Sequence, residues 1–351
     1  MIWPPLLLAD PSPALRWLVL RDLLRRPPGD AELRELSALR ASDPHLAGIL
    51  SLQQADGSWP PGSLATGRPG GSPTQMTAMA LTRLGYLGLD RTHTAVARGA
   101  EFLFSCQRRD GAWPLGKAES LTDGVSGLPA RERYSMMPLQ TAFPLRALAA
   151  CGYATDPRSE RAYDWLLAQR LPDGAWPTGL AAGVYGGVGG YRRLAHSAWG
   201  CRSNTTGALI CLAFHPERSK GPEAARALDL LLGRETREAH SLGSEVAWLV
   251  GAEMPRGFLT FFARFDLALM VDLCSRVGAT LDDPRVADLL KFVVSLPGEY
   301  GLWDYPPRPQ ISRWLTFDLL RSLSRMEESG QWVSSEPRTP FRAYMKRGKR
   351  F

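Results

Sequence analysis

Four tryptophans stand in a repeated turn, and this repeat constrains the fold more than any other feature of the chain. The first three units are Leu52-Gln-Gln-Ala-Asp-Gly-Ser-Trp-Pro60, Ser105-Cys-Gln-Arg-Arg-Asp-Gly-Ala-Trp-Pro114 and Ala168-Gln-Arg-Leu-Pro-Asp-Gly-Ala-Trp-Pro177. A fourth, Glu299-Tyr-Gly-Leu-Trp303, keeps Gly-x-Trp and loses Gln and Asp. The tryptophan spacings are 54, 63 and 127 residues. The last interval is about double, so one unit has degraded between residues 215 and 250, with Leu230–Thr236 as its expected remnant. Self-similarity at a fixed period is the mark of a repeat architecture. Here each period holds two helices and a loop.

The helix signals fall in step with the turns. Asp-Gly follows helical segments such as Ala97–Gln107 and Arg161–Gln169, where it stops the helix. Asp43-Pro44, Asp156-Pro157 and Asp283-Pro284 each place an N-cap Asp before a Pro at the first helical position. These segments are the outer helices. A second set shares its own register: Thr77, Leu81 and Leu84 recur as Thr141, Leu145, Leu148 and as Thr205, Leu209, Leu212. Spacings of four and seven put all three on one helix face. The template extends to Arg16, Asp266 and Thr316, giving helices near 11–25, 73–87, 137–152, 202–214, 260–278 and 311–327. They are richer in apolar and small residues, so they are placed inside. The expected fold is all-α: a single α/α toroid of about six inner and five to six outer helices. It spans residues 1–335, with a basic segment over 336–351. A length of 351 residues would otherwise allow two or three domains.

Charge and cysteines narrow the function classes. The net charge is +7, from 42 Lys and Arg against 35 Asp and Glu, and only five of the 42 are Lys. Arginine forks suit phosphate, but only Arg342–Phe351 concentrates the charge, so nucleic acid is the least favoured partner. That segment can also touch anionic lipid. The cysteines are Cys106, Cys151, Cys201, Cys211 and Cys274, an odd number without C-x-x-C spacing. Reduced thiols in a cytoplasmic protein are expected. Met1–Asp10 is apolar, yet it lacks a basic n-region and is broken by two prolines, so it does not read as a signal peptide. No run reaches the roughly 20 apolar residues of a bilayer span. The location expected is cytoplasmic, with membrane-peripheral contact as a variant.

Gln-x(2–3)-Asp-Gly-x-Trp at the end of an outer helix resembles the QW repeat of the terpenoid cyclase and protein prenyltransferase superfamily. The resemblance runs over about residues 10–330 and implies the toroid fold. It also implies an isoprenoid or other long hydrophobic ligand in a central cavity. It does not carry the reaction. The D-x-D-D acid cluster of squalene–hopene-type cyclases is absent, and Asp282-Asp283 before Pro284 reads as an N-cap. The D-D-x-x-D magnesium motif is absent as well. Prenyltransferase β-subunits hold zinc at D-x-C spacing with a later His. Asp272-Leu-Cys274 has that spacing, but His45, His93, His196, His215 and His240 all precede it. No metal site and no cofactor are assigned.

The remaining candidates come from the inner-helix register. Asp266 is the only carboxylate at its register position. Facing a cavity, it would be a general acid or base whose pKa burial raises and Arg264 or Arg256 lowers; otherwise it caps its helix. Arg202, Arg313, Arg264 and Arg133 are expected to ring one mouth as a cationic rim for an anionic head group, with Tyr134, Phe265 and Trp314 as apolar contacts. The aromatic run Phe258–Phe265 lines a pocket or packs the core. Ala182–Tyr191 is a glycine-rich loop, and His196 with Cys201 is too sparse for a metal. Two functions stay open. One is an enzyme of terpene cyclase-like or prenyltransferase-like type with a non-standard acid. The other is a binding or scaffold protein that keeps the repeat without the chemistry. A partner subunit is a further partner the family resemblance allows.

Overall fold

A computed structural model describes residues 4–64, 72–114, 136–181, 184–185, 191–233, 241–253, 263, 266–298 and 300–328. The inner set is α2 (Pro13–Leu18, continued by a π-helical turn Val19–Leu23), α5 (Pro73–Tyr86), α7 (Pro138–Ala150), α9 (Arg202–Phe214), α12 (Leu267–Val277) and α14 (Ser312–Glu328). The outer set is α3 (Ala31–Leu39), α4 (Pro44–Leu50), α6 (Thr94–Ser105), α8 (Pro157–Ala168), α10 (Pro222–Leu232) and α13 (Pro284–Val294). A short α1 (Pro4–Leu8) precedes them, and α11 (Ser244–Leu249) lies between α10 and α12. A two-residue hairpin, Leu180–Ala181 with Val184–Tyr185, is antiparallel. The toroid is therefore as expected. The segment 336–351 lies outside the described residues.

The outer helices begin where the Asp-Pro signals place them. Asp43, Asp156 and Asp283 accept from the amides of His45, Arg158 and Arg285. Consecutive inner helices pack side by side from α5 through α7, α9 and α12 to α14. The ring closes on α2: α14 packs against its π-helical turn. Arg313 reaches Asp10 at 3.4 Å, and Arg40 donates to the Leu87 carbonyl beyond α5. The inner helices are buried on nearly all sides, whereas the outer ones bury one stripe. Thiols take part in the packing. Cys151 donates to the Leu81 carbonyl and Cys211 to that of Ala142, each reaching back to the preceding inner helix.

The repeat turns explain how neighbours are tied. Each tryptophan indole donates to an outer-helix carbonyl ten residues back: Trp59 to Ile49, Trp113 to Leu103, Trp176 to Leu166 and Trp303 to Val293, at 2.7–2.8 Å. Its backbone amide donates to the threonine hydroxyl of the next inner helix, Thr77, Thr141, Thr205 or Thr316, at 2.9–3.2 Å. Gln53 and Gln107 close the turn on Gly57 and Gly111 and also reach the next outer helix, at Ala95 and Arg158. Thus Trp links outer to inner helix, and Gln links outer to outer. In the third unit Arg170, not Gln169, sits at the Gln position and donates to Gly174. The turn keeps the length of the other two, with Arg in place of Gln.

The degraded unit solves the same problem with ions. Arg285 of α13 is fully buried between Asp229 and Asp283, at 2.7 and 2.6 Å. It replaces the Gln link between outer helices. In this unit α11 touches α5, α12 and α14. Its Glu245 pairs with Arg146 of α7, and its Trp248 packs on Phe143 of α7. A helix in contact with four of the six inner helices sits inside the ring.

Candidate functional site

A cavity among the described residues lies at the C-terminal ends of the inner helices. Its volume is about 500 Å³, and all six inner helices contribute to its wall, with Leu249 of α11 and Phe214 as apolar surface. Six arginines line it: Arg21, Arg25, Arg146, Arg276, Arg321 and Arg325. The rim expected from Arg202, Arg313, Arg264 and Arg133 is at the N-terminal ends; these six arginines stand at the other end of the inner helices. Periodicity places a residue on a helix face but does not say which end of the ring stays open.

Four carboxylates hold the arginines. Asp272 accepts from Arg276 at 2.7 Å and from Arg325 at 2.6 Å. Asp318 accepts from Arg321 at 2.6 Å, and Asp22 accepts from Arg21 at 2.9 Å. Glu245 pairs with Arg146. Burial alone would raise the Asp272 carboxyl, but Arg276, Arg325 and Arg321 outweigh it and hold the group below the usual carboxylate range. Burial lowers the Arg276 guanidinium, opposed by Asp272. Burial and nearby Asp318 push the Tyr86 phenol well up, so it stays neutral.

The predicted residues occupy other places. Asp266 is fully buried and outside the cavity wall. Its carboxylate accepts from the amides of Ala268, Gly243 and Ser244 and from the Ser241 hydroxyl. It caps α12 and stands where the other repeats use threonine to receive the Trp amide. Burial pushes it up to about 6, against the hydrogen bonds from Ser241 and Gly243. A carboxylate surrounded by fixed amide donors caps its helix, the second of the two readings that the sequence left open for Asp266.

Trp314 is 2% exposed, packed edge-on to His45 with ring centroids 5.4 Å apart, and belongs to the core. Arg313 closes the ring on Asp10. Arg202 is half-buried at the start of α9, where its amide donates to the Arg192 carbonyl. Neither arginine joins the cavity. Arg133, Tyr134, Arg264 and Phe265 lie outside the described residues. His196 is bound to the Gly233 carbonyl at 2.8 Å, and Cys201 receives the Arg192 amide, so the two do not form a pair. The cavity arginines were legible only as last-turn cations: Arg21, Arg276 and Arg325 stand where helix C-termini favour positive charge.

Comparison with known proteins agrees with the repeat. Residues 35–190 match the squalene-hopene cyclase C-terminal domain family. No curated protein matches the chain. Among solved structures, an ent-copalyl diphosphate synthase from Streptomyces platensis is 19% identical with a TM-score of 0.34. That match covers 54% of this chain and 31% of that one. A protein from Actinoplanes is 17% identical with a TM-score of 0.43 and 90% coverage of both chains. The type II terpene cyclase MstE from Scytonema is 16% identical with a TM-score of 0.33, covering 81% and 96%. The matched segment carries three of the four Trp turns of the α/α toroid, and over that segment the chain is similar to the squalene-hopene cyclase C-terminal domain family.

Proposed function

We propose that the protein binds an isoprenoid or other long hydrophobic ligand within the toroid and does not protonate it in the manner of a squalene–hopene-type cyclase. The observation that carries this reading is the cavity of about 500 Å³ walled by all six inner helices. That volume lies within the roughly 300–1,000 Å³ of ligand sites. Tyr86, Phe214 and Leu249 offer apolar surface for a chain, and the arginines suit an anionic head. The family match over residues 35–190 supports an isoprenoid as the ligand class.

Cyclase chemistry needs an acid on the cavity, and Asp266 is occupied as a cap. Prenyl transfer with zinc would need Asp272 and Cys274. Asp272 is engaged by two arginines, and burial, with Asp283 nearby, pushes the Cys274 thiol up to about 12. The second reading, a scaffold without a ligand, is favoured by α11 filling the middle of the ring. No helix among the described residues is long and apolar enough to cross a membrane. The basic residues 342–351 support peripheral contact with anionic lipid.

Native mass spectrometry of the purified protein, with organic extraction, separates these readings. A co-purifying polyprenyl species is expected. Protein that carries no lipid and gives no mass shift with added farnesol would leave the scaffold reading.

A further inference from the structure

Helix α11 stands outside the repeat, and two arginines of the inner helices lean on it. Arg146 of α7, 5% exposed, pairs with Glu245. Arg83 of α5, 3% exposed, donates through Nε to the Trp248 carbonyl at 3.0 Å. Both guanidiniums also face the Trp248 ring, 5.8 Å from its centroid for Arg83 and 5.4 Å for Arg146. Arg83 has no carboxylate partner among the described residues, and its Nη2 meets no acceptor there. Burial lowers it to about 10, with no anion to restore it. A buried cation in that position carries a desolvation cost that water would relieve.

The balance of forces is that of an element held shut chiefly by apolar contact. A buried ion pair such as Arg146–Glu245 roughly breaks even against the hydration of its two ions, and Arg83 gains on exposure. What keeps α11 in place is the burial of Val246, Trp248 and Leu249. Leu249 is also part of the cavity wall, as is Arg146. Glycines in the left-handed region bracket the helix, Gly243 at φ +91° and Gly251 at φ +80°. Residues at the ends of an element are where a hinge absorbs a backbone change. The first end is pinned, because Asp266 accepts from the amides of Gly243 and Ser244. At the other end the chain is held by polar contacts, His45 Nδ1 to the Val250 carbonyl at 3.0 Å and the Tyr305 hydroxyl to Glu253.

The structure assigns α11 as a displaceable plug: hinged at Gly243 and Gly251, Ser244–Leu249 swings away from α5 and α7 as one local unit, and the cavity bounded by Leu249 then continues into the ring between Arg83 and Arg146. A hydrophobic ligand that enters replaces the apolar contacts α11 gives up, and so favours the open state. That effect of a ligand rests on the hydrophobic-ligand reading; the opening itself does not.

Hydrogen exchange of the full chain, read amide by amide, tests the plug. The amides of Ala247, Val250, Ala252 and Glu253 donate to carbonyls of the segment itself. They should exchange at least about tenfold faster than those of Leu209 and Ile210 in α9, because they open without global unfolding. Gly251→Ala, strained at φ +80°, and Glu245→Gln, which keeps the shape and removes the ion pair, should each speed the four amides by about fivefold or more and leave α9 as in the parent. The proposal is overturned if the four amides exchange at the α9 rate in the parent, or if neither variant speeds them selectively. Farnesol, where it binds, should speed their exchange; binding that slows them marks α11 as a fixed wall and also overturns the plug. If farnesol does not bind, the hydrophobic-ligand reading fails, and the parent and variant exchange rates still decide the plug.

Discussion

Thr141 shows how much one hydroxyl can organise. It receives the Trp113 amide across the junction between an outer and an inner helix, in a fully buried setting. Thr141→Val keeps the shape and leaves that amide without its acceptor. The expected cost is about 1–3 kcal/mol, read as a lower denaturant midpoint with the slope unchanged. Asp266 occupies the equivalent position in the degraded unit. Asp266→Asn turns an acceptor into a donor facing amides, and should cost a similar roughly 1–3 kcal/mol. Asp266→Thr, the residue of the other repeats, should recover part of that loss. If Asp266→Thr instead abolished a measurable turnover while the fold stayed intact, Asp266 would be an acid after all. The sequence showed which residues share this register. It did not show that their partner is the Trp amide, because that partner is 13–29 residues away and is reached only when the turn folds back.

At the scale of elements, the turn glycines serve conformation and proximity together. Gly111 has φ +96°, and a Cβ there would collide with the Arg161 carbonyl of the next outer helix. Gly111→Ala should therefore cost more than the roughly 1–3 kcal/mol of backbone strain, because α6 and α8 must also separate. Thermal unfolding of this variant against Gly29→Ala, where nothing lies within 4 Å of the added carbon, isolates the effect. The inner-helix register was legible because a buried helix advertises itself by apolar residues at fixed spacing. Helix α11 was not. Its six residues are too short for a period to emerge, and its burial comes from α5, α7, α12 and α14, which are distant in sequence.

For the whole molecule, closure matters more than any single helix pair. Arg25–Ser324, Arg313–Asp10 and Arg321–Asp22 join the last inner helix to the first. Asp272 ties α12 to α14 through Arg325. Its folded pKa lies below its unfolded value of about 3.9. Its contribution to stability is therefore complete above about pH 4 and is lost as the pH falls. Urea midpoints measured from pH 6 down to pH 2 should drop below pH 4. Asp272→Asn should start lower and show a shallower drop. An identical acid limb in both proteins would assign the pH dependence elsewhere.

The sequence by itself determined the class, the repeat, the six inner helices and the three Asp-Pro helix starts. Each of these rests on short-range physics: Asp-Pro caps, Asp-Gly turns and apolar spacing act within a few residues. The tertiary structure decided which end of the ring holds the cavity, that α11 fills its middle, and that Asp266 is a cap while six arginines scattered from residue 21 to residue 325 converge. The reason is that a charge's role depends on what desolvates and pairs it. In a closed ring those neighbours come from distant parts of the chain, such as Arg146 with Glu245, 99 residues apart, or Arg25 with Ser324, 299 residues apart.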